Sequence, residues 1–582
     1  MNILLKTKDH VKETLDRINP EIGLIRSYCN PNYHSNLEPG EYHFILESTN
    51  LALGIFATGY EEYYHEANEM LRKVISCQCR EGEFTGIWPY FLEESLEEMV
   101  APDWNYADFE ALPMVIILKE YSDKLEDGMC EMLGEACLYA CRAIIKRNLT
   151  VLYTNPTVMG IYIMFMCGEL FNKPELIKYG TKKLKDFYVQ TMYFGTYNEY
   201  NCPGYTKLIL DFYSLMLRHI KNEEALRMLN ELNIIAWKMM GEHYHNPTGE
   251  FTGPKFRQYG NFINTNEMTI WQRSVGKTLD LIKDGDEKYS DFDLIYDLKC
   301  PEEIKPLFTD EKKETEFRRI LSLGHTYPHL GWHHVDTQYI KPEFTLGSYS
   351  GMDSWNQHHN VVSYIGTREK KCCIRMRVYH DGYDFASAYM NTVQEKGTAM
   401  TLINFHTNRG DTHHDLDPII DSKIKATDFR IRYQIEANTV GITDNIQIEE
   451  FENGCRMNVL GIPVEIKYHY AEMSGEKPYF EIVREENCIW VDMVLYHGDE
   501  KEIDFDELES LVTISHISVN ETAEGKPEIV KDDRYIYAKW NINGLDTEIK
   551  SQYKPLEQIH SVLGNEIKIN GVNLINYIQE NT

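Results

Sequence analysis

The segment KPLFTDEKKETEFRR, residues 305–319, separates two stretches of chain with different hydrophobic periods. Upstream of it the apolar residues recur at helical spacing, as in EEYYHEANEMLRKVISCQ (61–78), FEALPMVIILKEYSDKL (109–125), MCEMLGEACLYACRAIIKRN (129–148), YTKLILDFYSLMLRHI (205–220) and EALRMLNELNIIAWKMMGEHY (224–244). No strand-like runs separate these segments, which excludes an α/β sheet and leaves an all-α array, either a toroid of paired helices or a solenoid. No repeat of fixed length is visible, which disfavours the solenoid. Downstream the chain turns to short segments rich in β-branched and aromatic residues: KCCIRMRVYH (371–380), FRIRYQIEANTVGITDNIQIEEF (429–451), CRMNVLGIPVEIKYHYAEM (455–473), IWVDMVLYH (489–497), LVTISHISV (511–519) and YIYAKWNI (535–542). These predict an antiparallel sandwich. The charged segment itself has the composition of a domain junction, which places the boundary near Lys312.

At 582 residues the chain exceeds what one hydrophobic core supports, so two domains agree with its length. Its 91 acidic against 59 basic side chains give a formal net charge of −32, which argues against nucleic acid or an anionic membrane as partner. The opening stretch MNILLKTKDHVKETLDRINPEIG lacks the apolar run of a secretory leader, and no segment approaches the length of a membrane span. Thirteen cysteines without framework or zinc-ribbon spacing read as reduced thiols, so a cytoplasmic protein is expected.

Four places in the helical part concentrate polar and aromatic side chains. GIWPYFLEESLEEMVAPDWNYADF (86–109) carries Trp88, Asp103, Trp104 and Asn105, the aromatic faces and hydrogen-bonding groups that a sugar ring requires; Asp103 also reads as a helix N-cap and Trp104 as core. In YTNPT (153–157), Asn155 precedes a proline at the start of an apolar helix, where it reads as a cap. TYNEYNCPGY (196–205) packs Glu199, Tyr200, Asn201 and Tyr205 before a helix, where a tyrosine can exchange a proton or plug a loop. HYHNPTGEFTGPKFRQY (243–259) sets Lys255, Arg257 and Tyr259 after a Gly-Pro turn, with Tyr244 and His245 upstream, and Arg257 is suited to gripping a carboxylate. In the β part, ten of 21 histidines lie between His325 and His414, interleaved with aspartates, a composition that can form a divalent metal site or supply a general base.

The all-α-then-β order, Asn155, the EYNCPGY segment fifty positions later and the His-rich start of the β part resemble the heparinase II/III-type polysaccharide lyases and their alginate-lyase relatives. The resemblance implies an α+β multidomain fold, with an (α/α) toroid, an incomplete barrel, over residues 1–311 and an antiparallel β-sandwich over 312–582. It implies β-elimination at a uronic acid: Asn155 and Arg257 neutralise the carboxylate, and Tyr205 is base or acid. Pro156 stands where the family's histidine follows the asparagine, so the base falls to Tyr205, His245 or His358 of WNQHHN (355–360), with Glu199 beside them. Trp88, Asp103, Trp104, Asn105, Tyr200, Asn201, Tyr244 and Tyr259 are the expected substrate-binding residues. His359, Asp384 and His406 are the expected ligands of a structural Zn²⁺ or Ca²⁺, with no cofactor required for the chemistry. The expected partner is an anionic oligosaccharide or polysaccharide, with self-association into a homo-oligomer compatible. The alternatives are a toroid-type glycoside hydrolase using Asp103 and Glu199, and a non-catalytic carbohydrate-binding protein.

Overall fold

The computed structural model describes residues 3–32, 34–322, 333–521, 523–562 and 564–574, so His325 and His329 lie outside the described residues. The longer helices of the first part are α1 (Ile3–Leu15), α2 (Ile45–Thr58), α3 (Tyr64–Ser76), α4 (Tyr106–Glu120), α5 (Met129–Arg147), α6 (Thr154–Leu170), α7 (Pro174–Phe194), α8 (Pro203–His219), α9 (Glu223–His243) and α10 (Thr265–Val275). Helices α2, α4, α6 and α8 pack in succession against one another, and each also pairs with the helix that follows it. The result is an arc of hairpins with an inner and an outer layer. Composition sorts the layers: α6 is buried without interruption from Thr154 to Gly168, as an apolar-all-round helix must be, whereas α3 and α7 bury one stripe. No described helix is long and apolar enough to cross a membrane.

Two small hairpins interrupt the helical part, Ile25–Cys29 with Gly40–Phe44 and Tyr244–His245 with Glu250–Phe251. This corrects the expectation that no strands occur there. Strands of five and two residues are too short to impose a visible alternation.

Inside the arc, Glu110 of α4 is fully buried and accepts a hydrogen bond from Thr49 of α2 at 2.7 Å. Burial pushes its carboxyl up to about 8, only partly opposed by Thr49. The folded chain therefore holds a proton that the unfolded chain has released between an ordinary glutamate value of about 4.3 and pH 8, and stability falls as pH rises through that window. Glu110→Gln should match the original near pH 5 and gain on it by up to about 1.4 kcal/mol per pH unit toward pH 8, read by urea unfolding. A stability difference independent of pH would contradict the assignment.

The second part is built in three antiparallel layers. In spatial order the outer sheet runs Tyr479–Arg484, Cys488–Asp504, Lys423–Ala437, Lys371–His380, Val361–Gly366, Phe344–Ser350, His333–Ile340 and Thr315–Ser322, with Tyr383–Asp384 beside Lys371–His380. The middle sheet runs Ile448–Phe451, Gly454–Val459, Ile462–Met473, Leu511–Val519, Thr398–Phe405, Ala388–Glu395 and Met352–Asp353. A third sheet of five strands spans Glu528–Lys531 to Val572–Asn573. The antiparallel sandwich expected from sequence does not distinguish this third layer. Along Thr398–Phe405, Ala399, Ile403 and Phe405 join the core shared with the outer sheet, while Met400 and Leu402 join the core shared with the third sheet. A strand covered on both faces loses its alternation, which hides the extra layer from the sequence.

The two parts are joined backbone to backbone. Lys255 N–H donates to His359 O at 3.2 Å, His359 N–H to Lys255 O at 3.0 Å, and Gln258 N–H to Gln357 O at 2.9 Å. A Cβ on Gly347 would lie 2.4 Å from the Gly253 Cα, so only glycine permits this approach. Tyr200 adds a buried tie, its hydroxyl donating to Asp336 Oδ2 at 2.7 Å.

Candidate active site

The start of α6 is held by a carboxylate from another loop. Oε2 of Glu199 accepts from the Asn155 backbone N–H at 2.9 Å, and Oε1 accepts from Asn155 Nδ2 at 2.5 Å. A carboxylate at a helix N-terminus meets unsatisfied N–H groups and the positive end of the helix dipole. Burial raises the Glu199 carboxyl above its ordinary value, while Arg257 and Asn155 oppose the rise.

Because residues 255–258 pair with 357–359, Arg257 is delivered to the seam between helices and sheets. Its Nη1 donates to Glu199 Oε1 at 3.0 Å and its Nε to Gln357 Oε1 at 2.9 Å. The guanidinium lies 4.1 Å over the Tyr205 ring and 5.8 and 5.7 Å from the centroids of Tyr153 and Trp355. Burial disfavours its charge, but Tyr205 and Glu199 outweigh that and hold Arg257 protonated. Nη2 makes no hydrogen bond among the described residues.

From the β side comes a histidine backed by an aspartate. Nδ1 of His358 and Oδ1 of Asp353 are 2.7 Å apart, and Asp353 Oδ2 also accepts from Arg409 Nη2 at 3.2 Å. The carboxylate fixes the ring proton on Nδ1 and leaves Nε2 as the basic nitrogen. Burial works against the Asp353 charge, yet His358, His414 and Arg409 hold its carboxyl well below the usual range. Trp355 packs edge-on against His358 and His414, at centroid distances of 5.3 and 4.4 Å. His413 accepts the backbone N–H groups of Asp415 and Leu416 on Nδ1 at 3.1 and 3.2 Å, and burial and His414 push its imidazole down to about 3.

Of these groups, Tyr153, Glu199, Arg257, Asp353, Trp355, His358, Arg409, His413 and His414 line one cleft of about 320 Å³ at the seam. Of the residues expected from sequence, Asp103, Trp104, Asn105, Glu199, Arg257 and His358 line it. Asp103 accepts from the Tyr90 hydroxyl at 2.8 Å and from Asn105 N–H at 2.9 Å. Asn155 is spent on Glu199 and does not line the cleft. Tyr205 lies beneath Arg257 with its hydroxyl on Gln357 Oε1 at 3.3 Å, and burial raises its phenol well above 10, so it is no ready base. Tyr259 borders this group through Gln357, whose Nε2 donates to its hydroxyl at 2.8 Å.

The other expected positions serve the scaffold. His245 is clamped between Thr248 Oγ1 and Lys341 O, each at 2.8 Å, and burial pushes it down to about 4. Trp88 is core, its indole N–H on Val74 O at 2.9 Å; Tyr244 is fully buried. Tyr200 forms the interdomain tie, and Asn201 donates to Thr252 O and Pro254 O at 2.6 and 2.9 Å. The expected metal ligands do not converge. His359 Nε2 is 2.9 Å from Gln258 O, Asp384 is engaged by Arg377 through both carboxylate oxygens, and His406 Nδ1 meets Ser561 Oγ. Among the described residues, one group, exposed His65 and Glu69 with Glu126, brings three such ligand atoms together, and it lies in the helical part. As placed, His359, Asp384 and His406 do not form a donor set for a divalent ion, and no step is assigned to one.

Tyr153, Gln357 and Arg409 are not among the residues expected from sequence, and Asp353 is expected there only as one of the aspartates interleaved with the histidines. WNQHHN and the RGDTHHD stretch at 409–415 were the available signals, but pairing Asp353 with His358 takes a bend that no periodicity encodes.

Residues 32–280 match a family model described as "Domain of unknown function (DUF8769)". No curated protein matches the chain. Among solved structures, the heparan sulfate lyase HepC from Pedobacter heparinus is similar over 98% of this chain and 90% of its own, at 8% identity and a TM-score of 0.32.

Proposed function

We propose that this chain is a polysaccharide lyase that cleaves a uronic-acid-containing glycan by β-elimination. The reading takes the hairpin arc as an incomplete (α/α) toroid and the layered sheets as a sandwich, divided near Lys312. One observation carries it: Arg257 and the Asp353-backed His358, from different parts of the chain, line the same cleft.

The chemistry follows from those two groups. The proton on C5 of a uronide becomes removable when its C6 carboxylate is neutralised, because the charge moving into that group then has a partner. Arg257 offers Nη2 for this, already oriented by Glu199 and Gln357. His358 Nε2 takes the proton, with Asp353 stabilising the imidazolium that forms. Trp104 and Trp355 supply apolar walls for the sugar rings. Arg147, Arg257 and Arg409 line the cleft beside the carboxylates of Asp103, Glu199, Asp353 and Asp415, and the substrate class proposed is a short uronic acid oligosaccharide whose carboxylate meets Arg257.

The test is a panel of uronic acid oligosaccharides followed by the ultraviolet band of the conjugated product. A rise with a substrate of the panel is expected; reducing-end release without that band would replace the reading. A hydrolase is the second reading, because Asp103 and Glu199 also line the cleft. Such chemistry needs carboxyls about 5–5.5 or 6.5–9.5 Å apart and free to act, whereas Glu199 is engaged by Asn155 and Arg257.

A further inference from the structure

We infer that Tyr153 is the general acid of this cleft and gives its phenolic proton to the glycosidic oxygen leaving C4. The inference rests on the lyase reading above and assigns a group that reading leaves open. Tyr153 stands at the N-cap of α6, half-buried, and lines the cleft. Tyr205, the tyrosine that the sequence favours, does not line it: the Tyr205 ring supports the guanidinium from below and its hydroxyl is turned to Gln357.

The surroundings of Tyr153 suit a donor. Its ring centroid is 5.8 Å from the Arg257 Cζ, beside the group that would hold the uronate. Asn105 Nδ2 donates to the Tyr153 oxygen at 3.3 Å, which occupies a lone pair on that oxygen and restricts where the O–H can point. Asn105 is itself fixed, its Oδ1 accepting from Arg147 Nη1 at 2.8 Å, and Arg147 is anchored on buried Asp108. Burial keeps the phenol protonated; Arg257 opposes this and Glu199 adds to it, with a net rise above 10. A phenol held neutral beside a cation can give a proton but is no base at neutral pH. The base comes from the β part, as His358, and the acid from the helical part, and both line the cleft.

The step balances without a co-reactant. His358 Nε2 takes the C5 proton, and the C5–H electron pair becomes the second bond between C4 and C5. The C4–O4 bond breaks with its pair on O4, which receives the Tyr153 proton. Imidazolium and phenolate remain, and proton exchange through water restores both. The sum is glycoside to unsaturated uronide plus alcohol.

A substrate whose leaving group needs no proton isolates this role. Tyr153→Phe is compared with the unaltered protein on a glycosidic uronide and on the matching 4-deoxy-4-fluoro uronide, which expels fluoride. The variant should lose about 10²- to 10⁴-fold on the glycoside and retain nearly full activity on the fluoride, which also shows that it is folded. Tyr205→Phe, keeping the ring beneath Arg257, should lose less than Tyr153→Phe on the glycoside. Undiminished glycoside cleavage by Tyr153→Phe, or an equal loss on both substrates, overturns the inference while the lyase reading stands. Failure of the unaltered protein to form the conjugated product from either substrate overturns the lyase reading, and the inference with it.

Discussion

His358→Ala should lower the rate of conjugated-product formation by about 10²- to 10⁴-fold, the range that a positioned general base supplies. The expectation comes from the way the ring is held. Asp353 fixes the proton on Nδ1, Trp355 and Phe256 confine the ring plane, and Arg375 donates to the backbone oxygens of Asn356 and His358. Asp353 stays ionised through mildly acidic pH, because His358, His414 and Arg409 hold its carboxyl far below the usual range despite burial. Asp353→Asn is the companion variant. An amide can donate to Nδ1 and so shift the ring proton to Nε2, which removes the base without removing the histidine. Both variants should therefore be impaired, and full activity in Asp353→Asn would show that the dyad has no part in the reaction. Arg409 keeps Asp353 in His358→Ala and keeps Asp415, 3.3 Å away, in Asp353→Asn, so neither change leaves a buried charge alone.

Arg257→Lys should cost about 10²- to 10³-fold, the scale seen when one preorganised donor to a developing negative charge is lost. Lysine keeps the charge beside Glu199 but cannot hold Glu199 and Gln357 while presenting a further donor to the substrate. The loss should fall mainly on turnover, since the interaction strengthens as charge moves into the carboxylate. A methyl-esterified uronide, with no carboxylate for Arg257 to neutralise, should show a much smaller difference between variant and original. Arg257→Ala is less informative alone. It strips a buried carboxylate of its partner, at a stability cost of about 3–5 kcal/mol. Pairing it with Glu199→Gln should restore folding stability, read by urea unfolding, without restoring catalysis, which separates the two roles of the arginine.

Much of this was legible in the sequence, and particular residues show where legibility ended. The change of period around residues 305–319 locates the transition between helices and sheets, because 3.6- and 2-residue spacings are set by burial of one face. The third sheet was hidden because Thr398–Phe405 and Leu511–Val519 are covered on both sides and carry no alternation. Arg257 and His358 were each suspect by residue type and loop setting. Nothing local, however, shows that 255–258 would pair with 357–359 and bring them together. Tyr205 and Asn155 drew attention by their spacing, yet both face inward: one supports the guanidinium and the other anchors Glu199. Tyr153, two positions before Asn155, faces the cleft instead. Histidine density between His325 and His414 suggested a metal, but His359, Asp384 and His406 each bind other protein groups.

Elimination adds no water to its products, so product mass separates it from hydrolysis. The purified chain is incubated with a uronic acid oligosaccharide that it consumes, and the fragments are weighed by mass spectrometry. Fragments whose masses sum to that of the substrate are expected, one of them carrying the conjugated double bond. Fragments whose masses sum to the substrate plus one water, with no ultraviolet band, would contradict it and assign the cleft to hydrolysis.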